Sequence, residues 1–291
     1  MTAFLFPGQG AQYKGMGWDL FPQYPALTRQ ASDVLGYSIE QLCVENPHKK
    51  LRLTEYTQPA LYVVGVLRYM KMRDEGSGAF RPTYLLGHSL GEYNALWVAG
   101  VFDFETGLRL VRKRGEIMGA ARGGTMAAVL GMNERAVRTL LTDHGLGDVD
   151  LANFNAPTQF VISGPSDSVG KVMQLCAQRG VNCVPLNVAA PFHSRYMAAA
   201  QAEFAVFLRG FSFADPQIPV VANFTALPYE PGTVADLLSR QIASPVRWSD
   251  SLRYLLKQKV GDFVEVGSTF LMKMMQEIQY SESSGTATMP T

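Results

Sequence analysis

Cysteine, histidine and net charge are all scarce in this chain, and each scarcity removes a class of function. The three cysteines, Cys43, Cys176 and Cys183, are odd in number and form no C-x-x-C pair. That argues against a disulfide framework or a zinc site and for buried free thiols. Formal net charge is +1 over 291 residues, with a pI near 7.7, so no long-range field marks a nucleic-acid or membrane-surface binder. Partner choice therefore rests on local sites. No run approaches the roughly 18 apolar residues of a membrane span; the stretch from Leu61 to Leu67 stops at Arg68. Met1-Thr2 leads straight into apolar residues and Pro7-Gly8, without the charged n-region or small-residue cleavage site of a signal peptide. The expectation is a cytoplasmic protein that binds neither nucleic acid nor membrane.

Apolar material is plentiful, at 47% of residues against 18% charged, enough for one large domain or two smaller ones. Ala3 to Phe6 is a short apolar run broken by Pro7-Gly8-Gln9-Gly10, and Thr83 to Leu86 runs likewise into Gly87-His88-Ser89-Leu90-Gly91 and a helical stretch, Glu92 to Val98. Strands that each end in a tight turn before helical segments predict a parallel α/β sheet, with sites at the strand carboxyl ends. Between Thr125 and Val188 the pattern changes to β-α-β-β-α-β, with Asn133 and Ser166 as candidate helix caps. This is the element order of a ferredoxin-like domain. The predicted organisation is a large α/β domain over 1–124 and 189–280, an inserted domain over 125–188, and a loose polar tail over 281–291.

Gly87-His88-Ser89-Leu90-Gly91 fits the G-x-S-x-G nucleophile elbow, in which Ser89 stands exposed on a sharp turn and the Leu90 N–H can donate to an oxyanion. An ordinary glycine-rich βα turn fits the same letters. A serine hydroxyl needs a base, and only His48, His88, His144 and His193 exist. His48 lies in a polar loop and His144 at a helix end; His88 adjoins Ser89 but points elsewhere in an elbow and lines the pocket. His193 remains as the base by elimination. On the helix Asp103 to Ala121, Leu108, Val111 and Met118 form an apolar stripe that includes Arg114. An inward guanidinium either clamps a substrate carboxylate or makes a structural salt bridge. Arg109, Arg112 and Lys113 fall on the solvated face.

Seven segments in order carry a resemblance: "FPGQGAQ" at Phe6 to Gln12, "TQPAL" at Thr57 to Leu61, "GHSLGEY" at Gly87 to Tyr93, "RG" at Arg114-Gly115, "APFHS" at Ala190 to Ser194, "SPVRW" at Ser244 to Trp248 and "VEVG" at Val264 to Gly267. With them the chain resembles the malonyl-CoA:acyl carrier protein transacylase family, and within it the discrete trans-acting acyltransferases of polyketide synthases. The resemblance implies an α/β-hydrolase-like large domain with a ferredoxin-like insert. It implies Ser89 as acylated nucleophile, His193 as base, Gln9 and Leu90 N–H groups as oxyanion hole, and Gln241 as the main-chain carbonyl orienting the histidine. Arg114 would hold the malonyl carboxylate, with Phe192, Met118 and His88 as further substrate-binding residues, Phe192 favouring malonyl over methylmalonyl.

The implied activity is an S-malonyltransferase for polyketide or fatty acid synthesis. Its substrate is malonyl-CoA, its partner an acyl carrier protein or the carrier domain of a synthase; no cofactor and no metal is expected, and the chain would act as a monomer. Two departures from the family pattern are Pro191 in place of alanine, and "VGSTFLMKMM" from Val266 to Met275, where relatives read V-G-P-G-x-V-L. The alternative is a trans-acting hydrolase that clears acyl groups from carrier proteins, against which Arg114 speaks.

Overall fold

Alternate residues of the first strand face opposite ways, and both faces are covered: Phe4 and Phe6 enter one core, Ala3 and Leu5 another. The computed structural model describes residues 1–76 and 81–283. Strand β1 (Thr2–Phe6) is followed by helices α1 (Pro25–Leu35), α2 (Ile39–Glu45) and α3 (Thr54–Glu75), then β2 (Tyr84–Gly87), α4 (Gly91–Val98) and α5 (Phe104–Ala120). A second series comprises β3 (Thr125–Leu130), α6 (Glu134–Asp143), β4 (Asp150–Ala156), β5 (Gln159–Gly164), α7 (Ser166–Gln178) and β6 (Asn182–Pro185). The chain continues with α8 (Ala198–Leu208), β7 (Val220–Val221), α9 (Val234–Ala243), α10 (Trp248–Lys257), β8 (Asp262–Glu265) and α11 (Phe270–Ser283).

The first sheet has the order β7-β2-β1-β8 with every pairing parallel. All four strands therefore end on one edge, where Gln9, Ser89, Asn223 and Gly267 follow them. One face packs against α3, α4 and α5 through Tyr62, Val66, Leu96 and Val111; the other packs against α10 and α11 through Trp248, Leu252, Leu271 and Met275. Of the unusual Val266 to Met275 segment, Leu271, Met274 and Met275 enter that second core, Val266 belongs to the first and Phe270 is exposed.

The second sheet is antiparallel with the order β4-β5-β3-β6, the arrangement of a ferredoxin-like unit. It is tied to the first through Val246, whose N–H donates to Ala152 O at 2.9 Å and whose carbonyl accepts the Phe154 N–H at 2.9 Å. The mixed architecture of a parallel sheet with a separate antiparallel one is the predicted fold class.

Local chemistry differs from expectation at three places. Asn133 caps α6, its side chain accepting the Ala136 N–H at 2.9 Å. Ser166, however, is the first residue of α7, with Pro165 before it and no side-chain cap; proline already fixes the entry dihedral. Cys43 and Cys176 are buried, but Cys183 on the edge strand β6 is only partly so. Finally, residues 281–283 of the expected tail continue α11, whose Ile278 and Met275 anchor it in the core; 284–291 lie outside the described residues. Among the described residues no helix is long and apolar enough to cross a membrane.

Candidate active site

Steric necessity settles the turn after β2. A Cβ on Gly87 would lie 1.9 Å from the Gly91 carbonyl carbon, and one on Gly91 would lie 2.0 Å from Phe6 O. Neither position admits a side chain while the chain reverses against the end of β1. Ser89 between them has φ 51, a left-handed conformation costly for a residue with a Cβ. This strained strand-to-helix turn is an elbow, not an ordinary βα connection. Asn223, fully buried after β7, braces it from both sides: Oδ1 accepts the Ser89 N–H at 2.7 Å and Nδ2 donates to Gly87 O at 2.6 Å.

His193 reaches Ser89 from the other side. Its Nε2 lies 2.8 Å from Ser89 Oγ and its Nδ1 lies 2.8 Å from the main-chain O of Gln241. A carbonyl only accepts, so Nδ1 carries the hydrogen and the Nε2 lone pair faces the serine. Burial, with the Arg114 charge adding to it, lowers the imidazole pKa to about 3. The ring is therefore neutral and able to accept a proton at physiological pH. His193 itself has φ 57, and its loop is held by His193 N–H donating to Ile242 O at 3.2 Å and by Arg195 N–H and Nε–H donating to Asp150 at 2.9 Å.

The other histidines stand apart from Ser89 Oγ. His88 Nε2 lies 2.9 Å from Asn155 Oδ1 and the ring packs 5.2 Å from Trp248, joining the elbow to β4. His144 Nδ1 lies 2.9 Å from Leu140 O at the end of α6. His48 sits in the 3-10 turn Pro47–Arg52 with φ 53.

Arg114 is 1% exposed, and among the described residues no carboxylate forms a salt bridge with it. Nη1 donates to Gln58 Oε1 at 2.8 Å; Nη2 donates to Gln241 Oε1 at 2.9 Å and to Ser89 Oγ at 3.1 Å. The guanidinium lies 5.6 Å from the Tyr93 ring centroid, a cation–π contact. The salt-bridge reading of this residue thus finds no partner among the described residues. Arg109, Arg112 and Lys113 instead pair on the surface with Glu105, Glu116 and Glu203. Met118, one turn further, is buried, and its sulfur accepts Gln58 Nε2 at 3.5 Å; Phe192 is buried next to His193.

Two backbone donors remain at the turn. Neither Leu90 N–H nor Gln9 N–H meets an acceptor among the described residues, whereas the Ser89 N–H is occupied by Asn223. The loop after β1 lies against the elbow so closely that a Cβ on Gly8 would fall 2.2 Å from His88 O, and the Gln9 side chain is anchored by Nε2 to Thr54 Oγ1 at 3.4 Å.

A strained serine, a neutral imidazole facing it and free N–H groups beside it make a centre for acyl transfer. A family model described as "Acyl transferase domain" matches residues 3–289. The chain belongs to the acyl transferase domain family. It is 50% identical over 270 residues, 92% of this chain and 93% of the other, to the polyketide biosynthesis malonyl CoA-acyl carrier protein transacylase PksC of Bacillus subtilis. It is also 50% identical over 294 residues to the polyketide biosynthesis protein ThaF of Burkholderia thailandensis, covering all of this chain but only 25% of ThaF's length. Among solved structures, a malonyl CoA-acyl carrier protein transacylase from Burkholderia pseudomallei superposes with TM-score 0.93 at 46% identity, covering 96% of this chain and 98% of that one. A malonyl-transacylase solved in complex with a type II polyketide synthase acyl-carrier protein superposes with TM-score 0.89 at 35% identity, covering 95% and 92%.

In this acyl transferase the sequence reading missed the residues that hold the site from beneath. Gln58 and Glu92 lie inside motifs quoted above, but their letters do not say which atoms they touch. Asn155, Asn223 and Tyr229 had no signal at all. Glu92 is buried below the elbow, accepting from Tyr229 Oη–H, Gln241 Nε2–H and the Asn223 N–H. Burial raises its pKa to about 7, against the pull of those three donors and of Arg114.

Proposed function

We propose that this acyl transferase moves a malonyl group from coenzyme A through Ser89 to the phosphopantetheine thiol of an acyl carrier protein, in polyketide synthesis. The observation that carries the reading is Arg114: a buried cation on the nucleophile itself, hydrogen-bonded to neutral groups alone, is placed for a carboxylate on the acyl chain. The names of PksC and of the superposed transacylases support the same substrate.

Ser89 Oγ attacks the thioester carbonyl as His193 Nε2 takes its proton, and the carbonyl oxygen becomes an oxyanion facing the Leu90 and Gln9 N–H groups. Collapse expels the coenzyme A sulfur, which receives that proton from His193. The acyl-serine remains. A carrier thiol then gives its proton to His193 and attacks the ester, and Ser89 Oγ recovers the proton on release. The Gln241 carbonyl, acceptor for Nδ1–H, stabilises the imidazolium in both halves. Phe192, Met118 and His88 wall the acyl pocket, and the bulk of Phe192 opposes a methyl branch. No step calls for a cofactor, and the enzyme acts as a cytoplasmic monomer.

Intact-mass analysis after incubation with malonyl-CoA, with and without a carrier protein, tests the whole sequence. A malonyl adduct that persists alone and moves to the carrier on its addition is expected. Rapid loss of the adduct to water, carrier or not, would instead favour the hydrolase.

A further inference from the structure

Gln241 does two separate things with two separate parts. Its main-chain carbonyl accepts from His193, while its side chain bridges the buried Glu92 carboxyl and the buried Arg114 guanidinium. Gln241 Nε2 donates to Glu92 Oε2 at 2.5 Å and to Ser89 O at 2.9 Å, and Oε1 accepts from Arg114 Nη2 at 2.9 Å. Both neighbours of Nε2 are acceptors and the neighbour of Oε1 is purely a donor, so only one orientation of the amide is possible. Donating its N–H to the Glu92 carboxyl pushes electron density onto the amide and makes the amide carbonyl a better acceptor for the cation. The result is a chain from carboxylate through amide to guanidinium, closed off from water.

We infer that Glu92 is a specificity-determining positioning residue: through the Gln241 side chain it holds Arg114 where a carboxylated acyl group meets it, without itself touching substrate. This deepens the malonyl reading and rests on it. Glu92 is 1% exposed, and its two oxygens are taken by Tyr229, Asn223 and Gln241, so its influence on the pocket runs through these partners. Two side-chain amides hold Arg114 beside the nucleophile, Gln58 and Gln241. Loosening one lets the guanidinium swing off the malonyl carboxylate. An acetyl group has no carboxylate and loses only the orienting contact of Arg114 with Ser89 Oγ, a loss that malonyl shares and that the ratio cancels.

The test is the ratio of kcat/KM for malonyl-CoA to that for acetyl-CoA, each pair measured on one preparation so that the active fraction cancels. In Glu92→Leu the ratio should fall about tenfold or more, the effect of losing a hydrogen bond to a charged group. In Glu92→Gln it should stay within about threefold of wild type, because the amide can keep an oxygen toward Gln241 and Asn223 and give its NH2 to the Tyr229 oxygen. If the leucine variant does not fold, Glu92→Asp carries the test, since its carboxylate ends short of Gln241. An unchanged ratio in the leucine or aspartate variant overturns the inference, as does a fall in Glu92→Gln equal to that in Glu92→Leu. Wild-type protein that forms no malonyl adduct would sink the malonyl reading instead, so the two failures are distinct.

Discussion

Arg114 Nη2 lies 3.1 Å from Ser89 Oγ, and because a guanidinium can only donate, the serine oxygen accepts from it. The hydroxyl hydrogen is thereby turned toward His193 Nε2, 2.8 Å away. One residue thus both orients the nucleophile and offers a charge to the acyl chain.

Replacing Arg114 separates these roles. Arg114→Ala should lower kcat/KM for malonyl-CoA about a hundredfold, the worth of a charge-assisted pair in a buried pocket, and lower that for acetyl-CoA far less. Melting temperatures recorded alongside identify a purely structural arginine, which would reduce both substrates by similar factors and leave the ratio unmoved.

Acylation itself depends on two atoms. Ser89→Ala should show no acyl adduct by intact mass, and His193→Ala should slow acylation about a thousandfold, within the usual range for a lost general base. His48→Ala and His144→Ala, remote from Ser89, should remain near wild type. Equal losses at the three histidines would mean that folding and not base catalysis was being measured.

The Asn223 brace predicts a combined loss. Asn223→Ala removes both side-chain hydrogen bonds to the elbow and should cost about 2 kcal/mol in urea unfolding, with kcat falling about tenfold or more as the turn relaxes. Asn223→Asp should not restore activity, because its second oxygen would face Gly87 O where an N–H now donates. Full activity in the aspartate variant would rule out the two-sided brace.

Acid should affect the enzyme with a definite sign. His193 has a folded pKa of about 3 against an ordinary 6.5, so the fold favours the neutral ring. Its stabilising contribution is complete above pH 6.5 and is lost as pH falls toward 3. Glu92 runs the other way: with its pKa raised from 4.5 to about 7, its contribution is complete below pH 4.5 and is lost as pH rises through 7. Acetyl-enzyme formation, read by quenched mass analysis, should show no acid limb near pH 6.5 attributable to His193. A limb there that disappears with the histidine would contradict the buried geometry.

Legibility in the sequence followed chemistry, not importance. Ser89, Arg114 and His193 could be found because a nucleophile, an inward cation and a scarce base each have a distinctive residue type. The two sheets were readable because strand and helix periods alternate cleanly from Thr125 to Val188, and because β1 and β2 are short apolar runs ending in glycine turns. The support beneath the site was not. Asn223 follows a strand of two residues, too short to leave a pattern, and acts on a turn 134 positions earlier. Ser166 fitted a capping rule that the preceding proline had made unnecessary.

The pairing of β1 with β8 joins residues 2–5 to residues 262–265, and this has a bearing on biogenesis. While the ribosome is still making the middle of the protein, β1 can find β2 but must keep its other edge open. That edge belongs to a strand apolar on both faces, the kind that recruits foreign strands. A nascent chain stalled before β8 would therefore be a client for chaperones, and overexpression in cells poor in them should trap it in inclusion bodies.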